Sequence, residues 1–461
     1  MDFSLSEVAA ALSADVSGRA PREDFRLTSL SWDSRQAGPM DLLVGIQGAH
    51  FDGNDFLASS KAQVVVATSG RRVDPAPAQT LLSTQMSGVE AVQALASLWR
   101  RRLSCKVVAI TGSSGKTSTK EMVAAICRAA YGEAAVLATS GNHNNQLGMP
   151  YTLLQASPDT KVMILEMGMS GRGEIARLVQ IARPDIGAIT NIGYAHLEQL
   201  GSREQIARAK SELTAQTALA VLPARSTFKD LLEQLAQGQV CFFEQPANFG
   251  LDQHGCAYFT YQGQPIRLGV PGLHQLNNAM CAIEVARALA IGPAAIAEGL
   301  AAVRLPGERS RMCQTAGGAL LIDDSYNANP DSMEAALDLL SRLPAHSPRI
   351  AVLGDMLELG PDSRRLHEQV GAIAASRGIG LLCAVGGFAE ALRCGFDTAM
   401  GEMQEGSRQN QHVLAFASVD DFKAAFPDFR AAFGRQAAVL VKASRGMHFE
   451  DLAAWLVEQL K

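Results

Sequence analysis

The segment Ala109-Ile-Thr-Gly-Ser-Ser-Gly-Lys-Thr117 carries the residue types of a phosphate-binding loop. An apolar run precedes it and a helical pattern follows. Gly112 and Gly115 let backbone N–H groups approach phosphate oxygens, and the start of the helix adds partial positive charge. Lys116 is placed to reach the terminal phosphates and Thr117 to hold Mg²⁺. The usual motif has a further glycine five residues before Gly115. Ile110 stands there, so the loop is a shortened Gly-x-x-Gly-Lys-Thr form. A Gly/Ser turn with a solvated lysine is the competing reading. The strand–loop–helix context favours the phosphates of a nucleoside triphosphate, taken as ATP, cradled by Gly112, Ser113, Ser114, Gly115, Lys116, Thr117 and Ser118.

Other side chains must say what the loop is used for, because such loops serve kinases, ATPases, switches and ligases alike. Glu166 ends an apolar strand, where a carboxylate is expensive to bury unless paired or metal-bound. It is a metal-ligand candidate, with a solvated loop acid as the alternative. His196 follows the next strand and is either a structural histidine or a second ligand. Spacing makes Lys210 and Glu212 no more than charges on an exposed helix. Asp323-Asp324 runs from a strand end into Ser-Tyr-Asn-Ala-Asn-Pro330, either a polar cluster facing a cleft or a helix cap with turn chemistry.

The elements needed to hold these groups are visible in the pattern. Leu42–Ile46 and Val64–Ala67 are short β-type runs, and the Pro/Ala/Ser-rich stretch Val73–Thr84 looks like a linker. A capping box, Ser87 with Glu90, opens a helix whose Val89, Val92, Ala96 and Trp99 share a face. Strands at Lys106–Thr111, Lys161–Glu166 and Ile186–Asn191 alternate with helices at Lys116–Tyr131 and Arg172–Ala182, which predicts a parallel α/β sheet. Residues 220–271 read as an antiparallel insert, and Leu276–Ala290 as a helix. Arg304-Leu-Pro-Gly-Glu-Arg309 breaks the pattern and is read as a domain boundary. A second strand–helix series, with strands at Ala319–Asp323, Arg349–Leu353, Leu381–Val385 and Ala438–Val441, predicts a Rossmann-like region.

The 461 residues suggest about three domains. With 47% apolar and 19% charged residues the chain is an ordinary globular α/β protein. A formal net charge of -5 argues against a non-specific nucleic-acid binder. The start of the chain lacks a basic-then-apolar leader, and the apolar runs fall short of the roughly 20 residues that cross a bilayer, so no membrane insertion is expected. The 8 cysteines form no Cys-x-x-Cys pair and read as reduced core residues. A cytoplasmic location is expected.

Taken in order, further segments join the loop. They are Ser31-Trp-Asp-Ser-Arg35, Gly48–Phe56, Thr139-Ser-Gly-Asn-His-Asn-Asn145, Leu165-Glu-Met-Gly168, Asn191–Leu197, Lys210-Ser-Glu212, Gly272–Asn278, Leu305–Arg309, Asp323–Pro330, Gly354-Asp-Met-Leu-Glu-Leu-Gly360 and Val441–Gly446. Together they resemble the Mur ligases over essentially the whole chain. The stretches around Tyr326 and Met356 point to the member that adds D-alanyl-D-alanine.

The resemblance implies three α/β domains: 1–82 for the UDP-sugar substrate, 83–313 for ATP, and a Rossmann-like 314–461. It implies an ATP-dependent amide ligase joining D-alanyl-D-alanine to UDP-N-acetylmuramoyl-tripeptide, working as a monomer. By resemblance, Ser34 and Arg35 would meet the UDP end, and Asn142, Asn144 and Asn145 the central part of that substrate or the triphosphate. Glu166 and His196 would help bind two Mg²⁺ ions, and a carbamylated Lys210 would serve the second. Asn277 and His274 would contact adenine, Arg309 and Asp324 the ribose and phosphates, and Asn327 and Asn329 the dipeptide side. The chain departs from the family pattern at Met40-Asp-Leu-Leu43, Asp52-Gly-Asn-Asp55 and Val221–Arg225. A sibling ligase adding a single amino acid, a folyl-polyglutamate-synthase-like enzyme and a phosphate-loop ATPase switch are the alternatives.

Overall fold

A computed structural model describes residues 1–19, 25–307, 309–343, 346–403 and 411–461. Glu308, within the pattern-breaking turn, lies outside the described residues. Three main sheets succeed one another along the chain. The first has five strands in the order Asp15–Gly18, Thr80–Ser83, Val64–Ala67, Asp41–Val44, Ser29–Ser31. Thr80–Ser83 corrects the linker expectation. It pairs in parallel with Val64–Ala67 and antiparallel with Asp15–Gly18, and Leu81 and Leu82 are buried. Two leucines between threonine and serine suffice for a strand even in a Pro- and Ala-rich neighbourhood.

The central sheet has six parallel strands, in the order Gln239–Phe243, Leu219–Pro223, Ile186–Ile189, Lys106–Thr111, Val162–Glu166, Val136–Ala138. Lys106–Thr111 is buried after its first residue and apolar from Val107 to Ile110 because both faces are covered. Val107 and Ala109 face one core, and Val108 and Ile110 the opposite one, as strand alternation requires. The chain leaves this strand toward one edge and later returns on its other side. Its C-terminal end is therefore the topological switch point, where parallel sheets open a crevice. The antiparallel expectation for 220–271 is corrected in part. Leu219–Pro223 and Gln239–Phe243 extend the parallel sheet, and only Phe249–Leu251, Cys256–Tyr261 and Gln264–Pro271 form an antiparallel one.

Helices Lys116–Tyr131, His274–Ala288 and Pro293–Ala302 cover one face of the central sheet through Met122, Ile126, Leu276, Ile283 and Leu300. Gly88–Arg100 covers the other, its capping box intact at Ser87 and Glu90. The C-terminal sheet runs Arg311–Gln314, Leu320–Asp323, Ala438–Lys442, Arg349–Leu353, Leu381–Val385, His412–Phe416. Its first strand is antiparallel and the others are parallel. Leu320–Asp323 and Ala438–Lys442 are neighbours, which brings residues from distant parts of the sequence to one strand end. Among the described residues no helix is long and apolar enough to cross a membrane.

Candidate active site

The phosphate loop sits at the switch point, capped on the helix side by Gly115 with φ of 75°. A side chain at Gly115 would collide with Asn278, and one at Gly112 with Thr190 Oγ1, so both positions need glycine for close packing. The loop is braced from the neighbouring strand end. Thr190 Oγ1 donates to Ser114 O (2.6 Å), and Asn191 Nδ2 donates to Ser114 Oγ (2.7 Å). Asn191 Oδ1 accepts from the Ser114 N–H (2.8 Å). Lys116 Nζ donates to Gly112 O (2.7 Å), which holds the ammonium over its own loop. Burial pushes the Lys116 pKa down, against the attraction of Glu166 and with the repulsion of Arg309.

Glu166 is only 2% exposed, so it is a buried acid and no solvated loop residue. Its two oxygens accept from Thr117 Oγ1 (2.8 Å) and Asn144 Nδ2 (2.8 Å). The backbone behind it is fixed, because the Glu166 N–H donates to Thr139 Oγ1 (2.9 Å) while Lys120 Nζ donates to Thr139 O (2.6 Å). Lys210 is 1% exposed, which corrects the exposed-helix reading from spacing. The helix Arg203–Ser211 turns its Lys210 side inward. Burial, reinforced by the Lys116 charge, pulls the Lys210 pKa well down.

His196 adopts φ of 64°, a conformation costly for a side chain with Cβ. Its Nδ1 lies 2.8 Å from Glu358 Oε2, an ion pair when the imidazole is protonated. Glu358, also left-handed at φ of 63°, accepts through its carbonyl from the Glu198 N–H (3.1 Å). The central and C-terminal sheets therefore meet at this pair.

Across the cleft, Asp324 follows strand Leu320–Asp323. It accepts from the Ser310 N–H (2.8 Å) and from Lys442 Nζ (2.6 Å). Lys442 Nζ also donates to Asn327 O (2.8 Å). The Arg309 guanidinium lies 3.8 Å from the centre of the Tyr326 ring, a cation–π contact. Asn329 caps helix Pro330–Ser341, its side chain accepting from the Ser332 N–H (2.9 Å). The cap reading of this segment is thus realised at Asn329, while Asp324 takes the polar-cluster reading.

One cleft of about 550 Å³ gathers most of these groups. It is lined by Ser113–Ser118, Asn144, Asn145, Glu166 and His196 from the central region. His274, Asn277, Arg309, Asp324, Asn327 and Asn329 complete it. Gly112, Lys210 and Asn142 are not on its wall. Ser34 and Arg35 lie in the first sheet's region, where Arg35 pairs with Asp33 (2.8 Å) and holds that carboxyl below its usual range. Burial lowers the His274 pKa, favouring a neutral ring.

The wall also includes polar residues that the sequence did not single out as site residues, among them Asn191, Gln275, Asp331 and Lys442. A lysine closing the apolar strand Ala438–Lys442 was a usable signal for Lys442. Asp331 gave none, since an acid in the first turn of a helix is ordinary.

Among the described residues no three His, Cys, Asp or Glu side chains cluster to hold a metal ion. Mg²⁺ does not need such a cluster beside a nucleotide, because it keeps waters and binds phosphates plus one or two protein oxygens. The Thr117 hydroxyl and the Glu166 carboxylate, 2.8 Å apart, form such a hard-oxygen donor set.

A nucleotide cleft between two α/β sheets, with a buried acid behind the phosphate loop, defines a phosphate-loop enzyme, and comparison with known proteins narrows this. Residues 110–286 match the Mur ligase middle domain and 308–445 the Mur ligase, glutamate ligase domain. The chain belongs to the Mur ligase family, whose members are ATP-dependent amide ligases.

Within it, the chain is 32% identical to the UDP-N-acetylmuramoyl-tripeptide–D-alanyl-D-alanine ligase of Bacillus subtilis, covering 95% of this chain and 94% of that one. A crystal structure of MurF from Acinetobacter baumannii superposes with a TM-score of 0.88 at 30% identity, covering 99% of both chains. MurF of Thermotoga maritima in complex with ADP gives 0.77 at 25% identity, covering 95% of this chain and 99% of that one.

Proposed function

We propose that this protein joins D-alanyl-D-alanine to UDP-N-acetylmuramoyl-tripeptide at the expense of ATP, releasing ADP, phosphate and the UDP-N-acetylmuramoyl-pentapeptide used in peptidoglycan synthesis. The observation that carries the reading is the single cleft in which Lys116, Thr117 and Glu166 face Arg309 and Asp324. Relatives bearing that activity match nearly the full length.

Amide formation from a carboxylate in water is uphill, so the carboxylate needs activation. Its oxygen attacks the γ-phosphorus, ADP leaves, and an acyl phosphate forms. The free amine of the dipeptide attacks the acyl carbon, a tetrahedral intermediate collapses, the C–O bond breaks and phosphate departs with that oxygen. The nitrogen loses its proton to solvent or a neighbouring base.

The protein's task in such a transfer is positioning and neutralisation of charge, with no protein nucleophile. Lys116 and the helix N-terminus meet the phosphates. Thr117, Glu166 and His196 would hold Mg²⁺, with a carbamylated Lys210 at a second ion. Bound Mg²⁺ neutralises phosphate charge and orients the oxygens. Burial and the Lys116 charge shift the Lys210 amine toward its neutral form, the one that adds CO₂, which supports the carbamylation.

His274 and Asn277 suit the adenine, Arg309 and Asp324 the ribose and phosphates, and Asn327 and Asn329 the dipeptide side. Asn144 and Asn145 suit the acceptor or triphosphate; Asn142, Ser34 and Arg35 would meet the nucleotide-sugar outside the cleft. Residues 1–82, 83–313 and 314–461 act as the three domains of a monomeric cytoplasmic enzyme.

Phosphate release measured with UDP-N-acetylmuramoyl-tripeptide and either D-alanyl-D-alanine or single amino acids tests this. Release only with the dipeptide is expected. Release without any amine indicates an ATPase switch, and release with one amino acid a sibling ligase.

A further inference from the structure

The loop Asn191–His196 is held from two directions. Toward the phosphate loop, the Gly193 N–H donates to Ser113 Oγ (2.9 Å), beside the two Asn191–Ser114 bonds. Toward the C-terminal sheet, the next amide, the Tyr194 N–H, donates to Asp331 Oδ2 (3.1 Å). Asp331 lies in the first turn of helix Pro330–Ser341. Its carboxylate fills the space that a side chain at Gly193 would occupy, so contact is possible only against glycine. Arg203 stacks on the Tyr194 ring at 4.9 Å and donates to Ile192 O (2.9 Å), fixing the same turn and presenting positive charge to Asp331. Two consecutive amides, sharing one Cα, thus answer to the phosphate loop and to the C-terminal sheet.

We propose that Asp331 is a positioning residue whose grip on the Gly193–Tyr194 turn couples seating of the C-terminal sheet to the order of the phosphate loop. The coupling rests on the phosphate-loop reading given above, and it assigns Asp331 no contact with a reacting atom. The His196–Glu358 pair and the Glu198 N–H bond to Glu358 form a separate contact between the sheets. Loss of Asp331 therefore leaves the sheets docked and loosens the turn. A hydrogen bond to a carboxylate contributes about 1.5–3 kcal/mol, which is roughly 10- to 100-fold in a local opening equilibrium.

The full-length chain and its Asp331→Ala and Asp331→Asn variants test this by amide hydrogen exchange without nucleotide, together with steady-state kinetics. In Asp331→Ala, exchange should quicken at least about tenfold in 191–196 and also in 112–118. The turnover number should fall about tenfold or more, while the KM for D-alanyl-D-alanine stays within about twofold. Asp331→Asn, whose amide oxygen can accept the same N–H, should recover most of both.

Quickened exchange confined to 191–196 and 330–341, with 112–118 and the turnover number unchanged, overturns the coupling. So does an Asn variant as impaired as Ala, or exchange raised throughout the C-terminal sheet with a large fall in melting temperature. The phosphate-loop reading fails separately, if ATP gives wild-type 112–118 no protection. The exchange comparison without nucleotide still decides the role of Asp331.

Discussion

Removing the Lys442 charge should destabilise the C-terminal region more than most surface changes. The Lys442 side chain is 3% exposed and its partner Asp324 is 16% exposed. The ammonium donates to Asp324 Oδ2 (2.6 Å), Asp324 O (3.3 Å) and Asn327 O (2.8 Å). Lys442→Met keeps the length of the side chain but leaves Asp324 buried without its cation. Breaking a buried pair on one side costs about 3–5 kcal/mol. The Ser310 N–H still reaches Asp324 (2.8 Å), so the lower end, about 3 kcal/mol, is expected. For a region of this size that lowers a melting midpoint by about 6–12 °C.

The double variant Asp324→Asn/Lys442→Met removes both charges and should regain about 1–2 kcal/mol relative to Lys442→Met. Urea unfolding of wild type, both single variants and the double variant, followed by tryptophan fluorescence and circular dichroism, completes the cycle. A loss below about 1 kcal/mol for Lys442→Met, or strictly additive effects, refutes the argument that an uncompensated Asp324 carboxylate dominates.

Lys116→Ala should reduce ligation by about 10²–10³ or more, the scale of removing a donor to developing charge, with circular dichroism and melting unchanged. Near-normal phosphate release coupled to product in that variant would count against the assigned role. Activity should fall when bicarbonate is stripped and return when it is restored, and Lys210→Ala should respond to added short carboxylates; indifference to both removes the case for carbamylation.

His367 is a pH sensor of stability. Its Nε2 accepts from the Met356 N–H (2.9 Å) and its Nδ1 faces Ser363 O (2.6 Å), so the ring is neutral with the proton on Nδ1. Burial lowers its folded pKa below 6.5. The unfolded chain then binds the proton first, and stability falls as pH drops below about 6.5 toward the folded value. The melting temperature of the wild type should fall more steeply between pH 7 and 5.5 than that of His367→Asn; parallel curves contradict this.

Much of the central sheet was legible because its signals are local. The strands Lys106–Thr111, Val162–Glu166 and Ile186–Ile189 carry the apolar runs 107–110, 162–165 and 186–189, and Gly115-Lys116-Thr117 marks the strand-to-helix turn. Residues that meet through the fold were harder to see. Lys442 and Asp324 are 118 positions apart, and Tyr194 and Asp331 are 137 apart. No periodicity reports such pairings, which arise from strand order and from the approach of two sheets. The burial of Lys210 was hidden because a lysine among Arg, Ala, Ser and Glu has the composition of a solvated helix face. The strand Gln239–Phe243 was misread because its polar and aromatic residues at the sheet's outer edge resemble an antiparallel hairpin pattern, and the apolar Leu219–Pro223 was drawn into the same insert by its neighbourhood.

The transfer of a carboxylate oxygen to phosphate tests the central claim most directly. UDP-N-acetylmuramoyl-tripeptide labelled with ¹⁸O in its terminal carboxylate is incubated with ATP, Mg²⁺ and D-alanyl-D-alanine, and the released phosphate is analysed by mass spectrometry. Activation through an acyl phosphate places one ¹⁸O in each phosphate formed with pentapeptide product. Unlabelled phosphate, or phosphate released without the dipeptide joined, contradicts the account.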